Sequence, residues 1–237
     1  MNSDNFIKIC GLSSIIAAVC YIGTVIFSIT AGLTKPDDLA AMSGYLTDYY
    51  NARYLMTAYG WFGILGSLFT IPAILGYYQY LRKEGPKQWI PAAIIYHGVV
   101  LLTLAYIIPL VLSYYIAPTF NTAVDASAIQ SLLVIGQTLR ILEDFFIIIG
   151  TILTLLTGIT IISVIDFKEA ILPKWFNILG IITGIISIGM IGTLFHGTIG
   201  TVFTIITSID LSLMLIWMVI IGIFMMLPPK KDKEATN

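Results

Sequence analysis

Charged residues are scarce in this sequence. Aspartate, glutamate, lysine and arginine make up 11% of the 237 residues, whereas 58% are hydrophobic. So small a polar fraction cannot cover the surface of a soluble globular protein. The shortage excludes the soluble class and predicts an all-α polytopic membrane protein that lies in a lipid bilayer. The net charge of −1, without a basic patch, also argues against a nucleic-acid partner.

Cysteines and catalytic motifs are also lacking. The two cysteines, Cys10 and Cys20, fall on one predicted helix about 15 Å apart, which is beyond disulfide reach. No nucleophile set, zinc-ligand spacing or phosphate-binding glycine loop is present. We therefore predict no catalytic residue, no metal site and no cofactor. An intramembrane enzyme is the weakest of the functional hypotheses.

Long apolar runs are what the sequence does contain. A spanning helix needs about 17–25 predominantly apolar residues, and six runs reach at least the lower end of that range. They are 6–31, 55–81, 89–115, 127–165, 175–195 and 211–227. Together they predict one six-helix transmembrane domain over 1–229, followed by a disordered cytoplasmic tail over 230–237. Asp210, just before the last run, is predicted to cap its first turn at the outer interface.

The fourth run is too long for one bilayer. Residues 127–165 form a helix of roughly 58 Å at 1.5 Å per residue, whereas the hydrocarbon core is about 30 Å thick. About three turns therefore project beyond the membrane, and they carry an apolar stripe that needs cover. Because the loop 32–53 is the longest and holds a tyrosine cluster, we expect it to lie over this extension as an outer cap.

The few cations predict the orientation. With the N-terminus inside, nine lysines and arginines flank the cytoplasmic ends of the spans and two lie outside, and the inverted arrangement would reverse this ratio. The cytoplasmic set is Lys8, Arg82, Lys83, Lys87, Lys168, Lys174, Lys230, Lys231 and Lys233, and the outer pair is Lys35 and Arg53. We therefore predict a multi-pass protein of the cell membrane with both termini in the cytoplasm.

Three charges interrupt the fourth run. Arg140 precedes Glu143 and Asp144 by three and four residues, so all three share one helix face. Counted back from the end of the span, they fall near the outer boundary of the bilayer, where charges cost little. Two interpretations stay open: an interfacial ion pair with an extra acid, or a site in which Arg140 binds an anion or lipid headgroup. In the second, Arg53 and His196 would converge on Arg140 beneath the tyrosine-rich loop.

The two histidines do not predict a shared haem or metal site. Counted from Trp89, His97 lies about 12 Å deep, and counted from Trp175, His196 lies about 32 Å along, at the outer face. We expect His97 to be a helix-packing histidine that is hydrogen-bonded to a neighbour. His196 is either a loop histidine or a member of the Arg140 group.

Two turns resemble each other. Between the second and third spans (83–89), and again between the fourth and fifth (168–175), the sequence reads Lys-Glu, then Pro-Lys, then Trp. Arg53 and Arg140 stand at similar distances upstream. Either the two hairpins form a parallel repeat, or basic turns with an interfacial tryptophan have arisen independently.

A motif around the second of these turns resembles a known family. Its residues are Leu172, Pro173, Lys174, Trp175, Ile178, Leu179, Gly180 and Gly184, with Ile216, Trp217 and Gly222 in the last span. They resemble the prokaryotic integral membrane family catalogued as domain of unknown function 4386, and the six-helix plan is similar over most of the chain. The resemblance implies a small integral membrane protein without an assigned activity and supplies no catalytic residues.

Two functions of different classes follow from these features. The first is binding or handling of a lipid or small anionic amphiphile at an outward-facing site. Its candidate residues are Arg140, Glu143, Asp144, Arg53 and His196. The alternative is a non-catalytic assembly or regulatory subunit whose glycine-bearing helix faces bind a membrane partner protein or a second copy of the chain.

Overall fold

The computed structural model describes residues 3–36, 38–81, 89–169, 171–195 and 197–227. Within these ranges the chain is helical and no strand occurs. The helices are α1 Ser3–Ala31, α2 Met42–Asn51, α3 Arg53–Leu81, α4 Trp89–Thr122, α5 Ala126–Lys168, α6 Lys174–Ile186, α7 Gly189–Gly192 and α8 Gly197–Met226. Two of them contain a π-helical segment, at Leu112–Ile116 in α4 and at Ile152–Ile159 in α5.

Six helical segments of the described chain are long and apolar enough to cross a membrane. They are α1, α3, α4, α5, α6 together with α7, and α8. This confirms the predicted all-α class with six spans, and the protein is an integral membrane protein. Large apolar side chains such as Ile9, Val19 and Ile26 are exposed along α1, as expected where a helix meets lipid chains rather than water.

Small residues bring the spans close together. A Cβ atom on Gly11 of α1 would lie 2.6 Å from the carbonyl oxygen of Gly222 in α8. A Cβ on Gly98 of α4 would lie 2.7 Å from the carbonyl oxygen of Gly150 in α5. Backbones that approach this closely need glycine at the contact. We call the end of the bundle where α1 begins and α8 ends the base, and the opposite end, where α2 lies, the cap end.

Helix α2 covers the cap end. Its apolar residues recur at helical spacing, and Met42, Leu46 and Tyr49 are all 0% exposed. They pack with Leu133 and Leu139 of α5. The predicted cap from the first loop, lying against the extension of the fourth span, is therefore confirmed.

Helix α4 continues past Pro118, where the sequence predicts its end. The ring of a proline inside a helix clashes with the carbonyl four residues earlier and removes one hydrogen bond. Just before Pro118, however, the segment Leu112–Ile116 is π-helical, and the Ala117 amide donates five residues back to Leu112. This wider turn accommodates the ring, so α4 reaches Thr122.

Helix α8 begins at Gly197, well before the predicted start at residue 211. Asp210 is therefore not the cap of its first turn, and that prediction is wrong: Asp210 lies in the interior of α8 and is 0% exposed. In the sequence, Gly197 and Gly200 interrupt the apolar pattern of the threonine-rich stretch before Asp210. Its apolar residues, such as Val202 and Ile205, instead continue the helix and face outward.

Candidate ligand cavity and ionic cluster

The charges of the fourth span form a closed ion-pair network near the cap end. The Nη1 of Arg140 donates to Oε2 of Glu143 at 2.9 Å, and its Nη2 donates to Oδ1 of Asp144 at 2.8 Å. The Nζ of Lys35 reaches the same Asp144 oxygen at 2.8 Å. We call these four residues the Arg140 cluster. Two cations balance two carboxylates, so the cluster as a whole is neutral.

The Arg140 cluster lies under the tyrosines of α2. Arg140 and Glu143 are 8% and 5% exposed, and a buried ion pair is tolerated only where its charges are well paired. Burial raises the pKa of the Tyr45 and Tyr49 phenols; the Arg140 guanidinium opposes this rise and the Glu143 carboxylate adds to it. These phenols therefore stay neutral beside Glu143 over the physiological pH range.

Lys35 was not among the predicted site residues. The sequence places it in the first loop as one of few outer cations, and Asp144 as an acid beyond the Arg140–Glu143 pair. An outer cation in the first loop and an additional acid on the fourth span could pair only if the loop folds back onto α5, so the sequence did contain a signal for this contact. The structure makes that contact across more than a hundred residues of sequence.

Arg53 does not join the Arg140 cluster through its described contacts. Its guanidinium stacks on the rings of Tyr50 and Tyr54, at 4.3 and 4.6 Å from their centroids. Its Nη1 also donates to the Tyr50 carbonyl at 3.1 Å. His196, the fifth predicted site residue, lies outside the described residues, so its place in the site stays a prediction.

His97 is exposed rather than packed between helices. Its Nδ1 lies 2.7 Å from the Ala93 carbonyl, one turn back on α4, so the predicted hydrogen bond to a neighbour is present. No group of three potential metal ligands occurs within the described ranges.

A cavity of about 420 Å³ lies inside the bundle, within the size range of small-molecule sites. Six helices contribute to its wall: α1, α3, α4, α5, α7 and α8. The wall is mainly aliphatic, with four tyrosines and several hydroxyl groups. The tyrosines are Tyr21, Tyr59, Tyr77 and Tyr106, and the hydroxyl residues are Thr24, Ser28, Thr70, Thr151, Thr154, Thr204 and Ser208.

Most of the hydroxyl groups with a described partner bond to their own helices. Thr24 donates to the Tyr21 carbonyl at 2.7 Å, and Thr70 donates to the Gly66 carbonyl at 2.8 Å. A threonine bonded in this way satisfies its hydroxyl donor within the helix, and most of the rest of the wall is aliphatic. The cavity therefore favours an apolar guest over an ion or a sugar.

The cavity opens between α1 and α8. Among its lining residues, the exposed ones all belong to these two helices: Val25, Ser28 and Ile29 on α1, and Thr204 and Ser208 on α8. At the base the same helices are joined, since the Ser14 hydroxyl donates to the Met218 carbonyl at 2.7 Å. Both helices are long and apolar enough to span a membrane, so the opening lies between two candidate spans.

The cap end of this cavity lies near the Arg140 cluster. Tyr59 lines the cavity and lies within electrostatic range of Arg140 and Glu143. Ile147, one helical turn after Glu143, also lines it. The apolar chamber therefore comes close to the charged residues of the Arg140 cluster but is not lined by them.

Comparison with protein families, curated proteins and solved structures finds no match. The resemblance to the family of unknown function stays a prediction. The site is therefore interpreted from its geometry alone.

Proposed function

We propose that the protein binds an amphiphile, with the apolar part of the ligand in the cavity and its polar head beside the Arg140 cluster. The observation that carries this proposal is the shape of the site. An apolar cavity opens between two spanning helices, and Tyr59 and Ile147 in its wall lie near a group of charges. A ligand with one apolar and one polar end matches both parts.

The lateral opening favours a ligand that comes from the membrane. A water-soluble ligand would have to pass α2 and its buried side chains Met42, Leu46 and Tyr49. An amphiphile already dissolved in the bilayer meets the gap between Ser28 and Ser208 directly. Apolar surface is then transferred from lipid into a closely fitting chamber, where packing supplies the attraction.

The charged end favours an anionic head. Arg140 has five N–H donors, and the described contacts occupy two of them. Lys35 holds Asp144 by an ammonium group on a side chain that is 60% exposed, so it can turn toward a ligand at little cost. A carboxylate or phosphate head would therefore find a donor on each cation without breaking the Arg140–Glu143 pair.

The proposal is tested by titrating the purified full chain in mild detergent with a fluorescent anionic fatty acid. Ser208→Trp places a large ring in the opening, whereas Ser212→Trp places the same ring one turn away, outside the cavity lining. The two serines are matched, because both are exposed and each donates at 2.9 Å to the carbonyl one turn back.

We expect Ser208→Trp to weaken binding by about tenfold or more, equivalent to about 1.4 kcal/mol, and Ser212→Trp to bind as the unmodified chain does. Equal affinity in all three proteins would contradict a site between α1 and α8. Equal loss in both variants would show that a ring anywhere on this part of α8 is harmful, and would also count against the site.

A further inference from the structure

Asp210 is a buried acid for which the described part of the chain offers no hydrogen-bond partner. It is 0% exposed in the interior of α8, and neither of its carboxylate oxygens has a hydrogen-bond partner within the described part of the chain. Ionisable residues inside spanning helices are rare and expensive, and they usually mark proton or ion sites. This inference does not rest on amphiphile binding.

The neighbours of Asp210 can be placed from the contacts on either side of it. One turn before it, Ile206 packs against Gly189 of α7, where a Cβ would lie 2.9 Å from the isoleucine side chain. Two turns after it, Nε1 of Trp217 would lie 2.9 Å from a Cβ on Gly180 of α6. Asp210 shares this helix face, so it faces the segment between Gly180 and Gly189.

That segment is where the fifth span is interrupted. Helix α6 ends at Ile186 and α7 begins at Gly189. Between them the amide hydrogen bonds reach only three residues back, from Ile188 to Ile185 and from Met190 to Ser187. Breaks of this kind in spanning helices recur at proton and ion sites, because they free backbone carbonyls from regular pairing.

No described cation faces Asp210 from any of these elements. Thr183 and Ser187, both fully buried, supply hydroxyl groups, and the Ser187 hydroxyl donates to the Gly184 carbonyl at 2.7 Å. Within the described ranges, no ionisable side chain of α6, α7 or α8 has an electrostatic interaction with Asp210. A carboxylate held here would be desolvated without compensation, which strongly favours the neutral acid.

Thr207 lies between Asp210 and the cavity-lining residues on the surface of α8. It lies one turn before Asp210 on α8, is 8% exposed, and its hydroxyl has no partner among the described residues. On the helix its position falls between that of Asp210 and those of Thr204 and Ser208, which line the cavity. A hydroxyl in this position can accept a proton from one side and donate one to the other.

We propose that Asp210 is a proton-binding site of the membrane interior, which exchanges its proton with the cavity through Thr207. In the exchange, a hydronium ion at the opening beside Thr204 and Ser208 gives a proton to the Thr207 hydroxyl, which gives its own proton to the Asp210 carboxylate, so that water and the neutral acid result. The O–H bond forms on a carboxylate oxygen, and the reverse step releases the proton.

The test is infrared difference spectroscopy of the purified full chain at neutral pH. We expect a carbonyl band of a protonated carboxylic acid that shifts in heavy water and is absent from Asp210→Asn. The amide imitates the shape and neutrality of the protonated acid, so this variant should fold. Should it fail to fold, Asp210→Glu keeps the acid and should retain the band. A spectrum without the band, or a band that persists in Asp210→Asn, would overturn the proposal.

The Thr207 route is tested by the rate at which the same band shifts after transfer to heavy water. Thr207→Val removes the hydroxyl and keeps the shape, and we expect the exchange to slow by about tenfold or more, equivalent to about 1.4 kcal/mol in the barrier. Ser212→Ala, at an exposed position outside the cavity lining, serves as the control. An unchanged rate in Thr207→Val would refute the route, as would equal slowing in both variants.

Discussion

Glu143 and Asp210 are both buried acids, but their surroundings are opposite. Glu143, 5% exposed, accepts a charge-assisted hydrogen bond from Arg140 at 2.9 Å. Asp210, 0% exposed, has no partner within the described chain. A neighbouring cation stabilises the first acid as a carboxylate, whereas the surroundings of the second favour its neutral form. Both acids are buried, so burial alone does not determine their charge. The presence or absence of a neighbouring cation does.

The variant with the largest expected effect on stability removes the cation Arg140. Arg140→Met leaves Glu143 buried without its partner, and breaking a buried pair in this way costs about 3–5 kcal/mol. We expect a clear fall in the unfolding temperature in detergent. The double variant Arg140→Met with Glu143→Gln removes both charges and should recover most of the loss. If the double variant is as unstable as the single one, packing rather than charge pairing holds this region.

A smaller test acts on the cap above the cluster. Tyr49→Phe removes the hydrogen bond that the phenol donates to the Pro109 carbonyl at 3.1 Å, and we expect a loss of about 0.5–1.5 kcal/mol. The quantity measured is the free energy of unfolding in detergent. A larger loss would mean that the cap depends on this one bond, and no loss would mean that it does not hold α2 at all.

The same tyrosines predict a response to alkaline pH. Because burial raises the pKa of Tyr45 and Tyr49, the folded state binds their protons more tightly than the unfolded state does. The resulting stability is present below the ordinary tyrosine pKa of about 10 and is lost as the pH rises above it. We expect the alkaline fall in unfolding temperature to be smaller in the Tyr45→Phe, Tyr49→Phe double variant. An identical fall would place the alkaline transition elsewhere in the protein.

Asp210→Asn should change stability less than the cap variant. An uncharged amide replaces an uncharged acid of nearly the same volume, so the free energy of unfolding should change by less than about 1 kcal/mol at neutral pH. The contrast with Arg140→Met is measured in the same unfolding experiment. A gain of several kcal/mol would show that Asp210 is charged in the folded protein, which would remove the difference between the two acids.

Lys35→Ala should have the smallest effect on stability. Its salt bridge to Asp144 lies at the surface, where such pairs contribute about 0–1 kcal/mol. We expect Lys35 to contribute to ligand binding instead. The Lys35→Ala variant should bind the anionic fatty acid more weakly than the unmodified chain does, and should bind the uncharged alcohol analogue with unchanged affinity. Equal weakening for both probes would remove Lys35 from the recognition of the head.

Helix length and charge spacing carried the predictions that the structure confirms. Six apolar runs gave six spans, and the excess length of the fourth, together with the apolar stripe on its extension, required the α2 cap. The spacing of Arg140, Glu143 and Asp144 placed them on one face, and they pair there. These are local features, which is why the sequence alone reveals them.

Features that depend on distant contacts were not predictable. Lys35 meets Asp144 only after the first loop has folded over α5. The cavity exists because six helices do not fill the space between them. The sequence of any one helix does not predict such a space. The start of α8 is not evident from the sequence because Gly197 and Gly200 interrupt the apolar pattern before Asp210, whereas in the structure the helix continues through this stretch and Thr204 bonds to its own helix.

Other sequence-based hypotheses stay predictions. The orientation with both termini in the cytoplasm rests on the cation count, and much of that count lies in residues 82–88 and 230–237, outside the described ranges. The parallel repeat rests partly on the same residues. The role as an assembly subunit, with a partner protein or a second copy of the chain, also stays a prediction.

The most direct measurement of the central claim is photocrosslinking of an anionic fatty acid with a photoreactive group on its chain, in membranes that contain the full-length protein. The site predicts crosslinks on residues 21–29 of α1 and 204–218 of α8, with loss of labelling in Ser208→Trp and not in Ser212→Trp. Labelling spread over exposed apolar residues of the other spans, such as Phe145 and Ile182, and unchanged by Ser208→Trp, would contradict a specific amphiphile site.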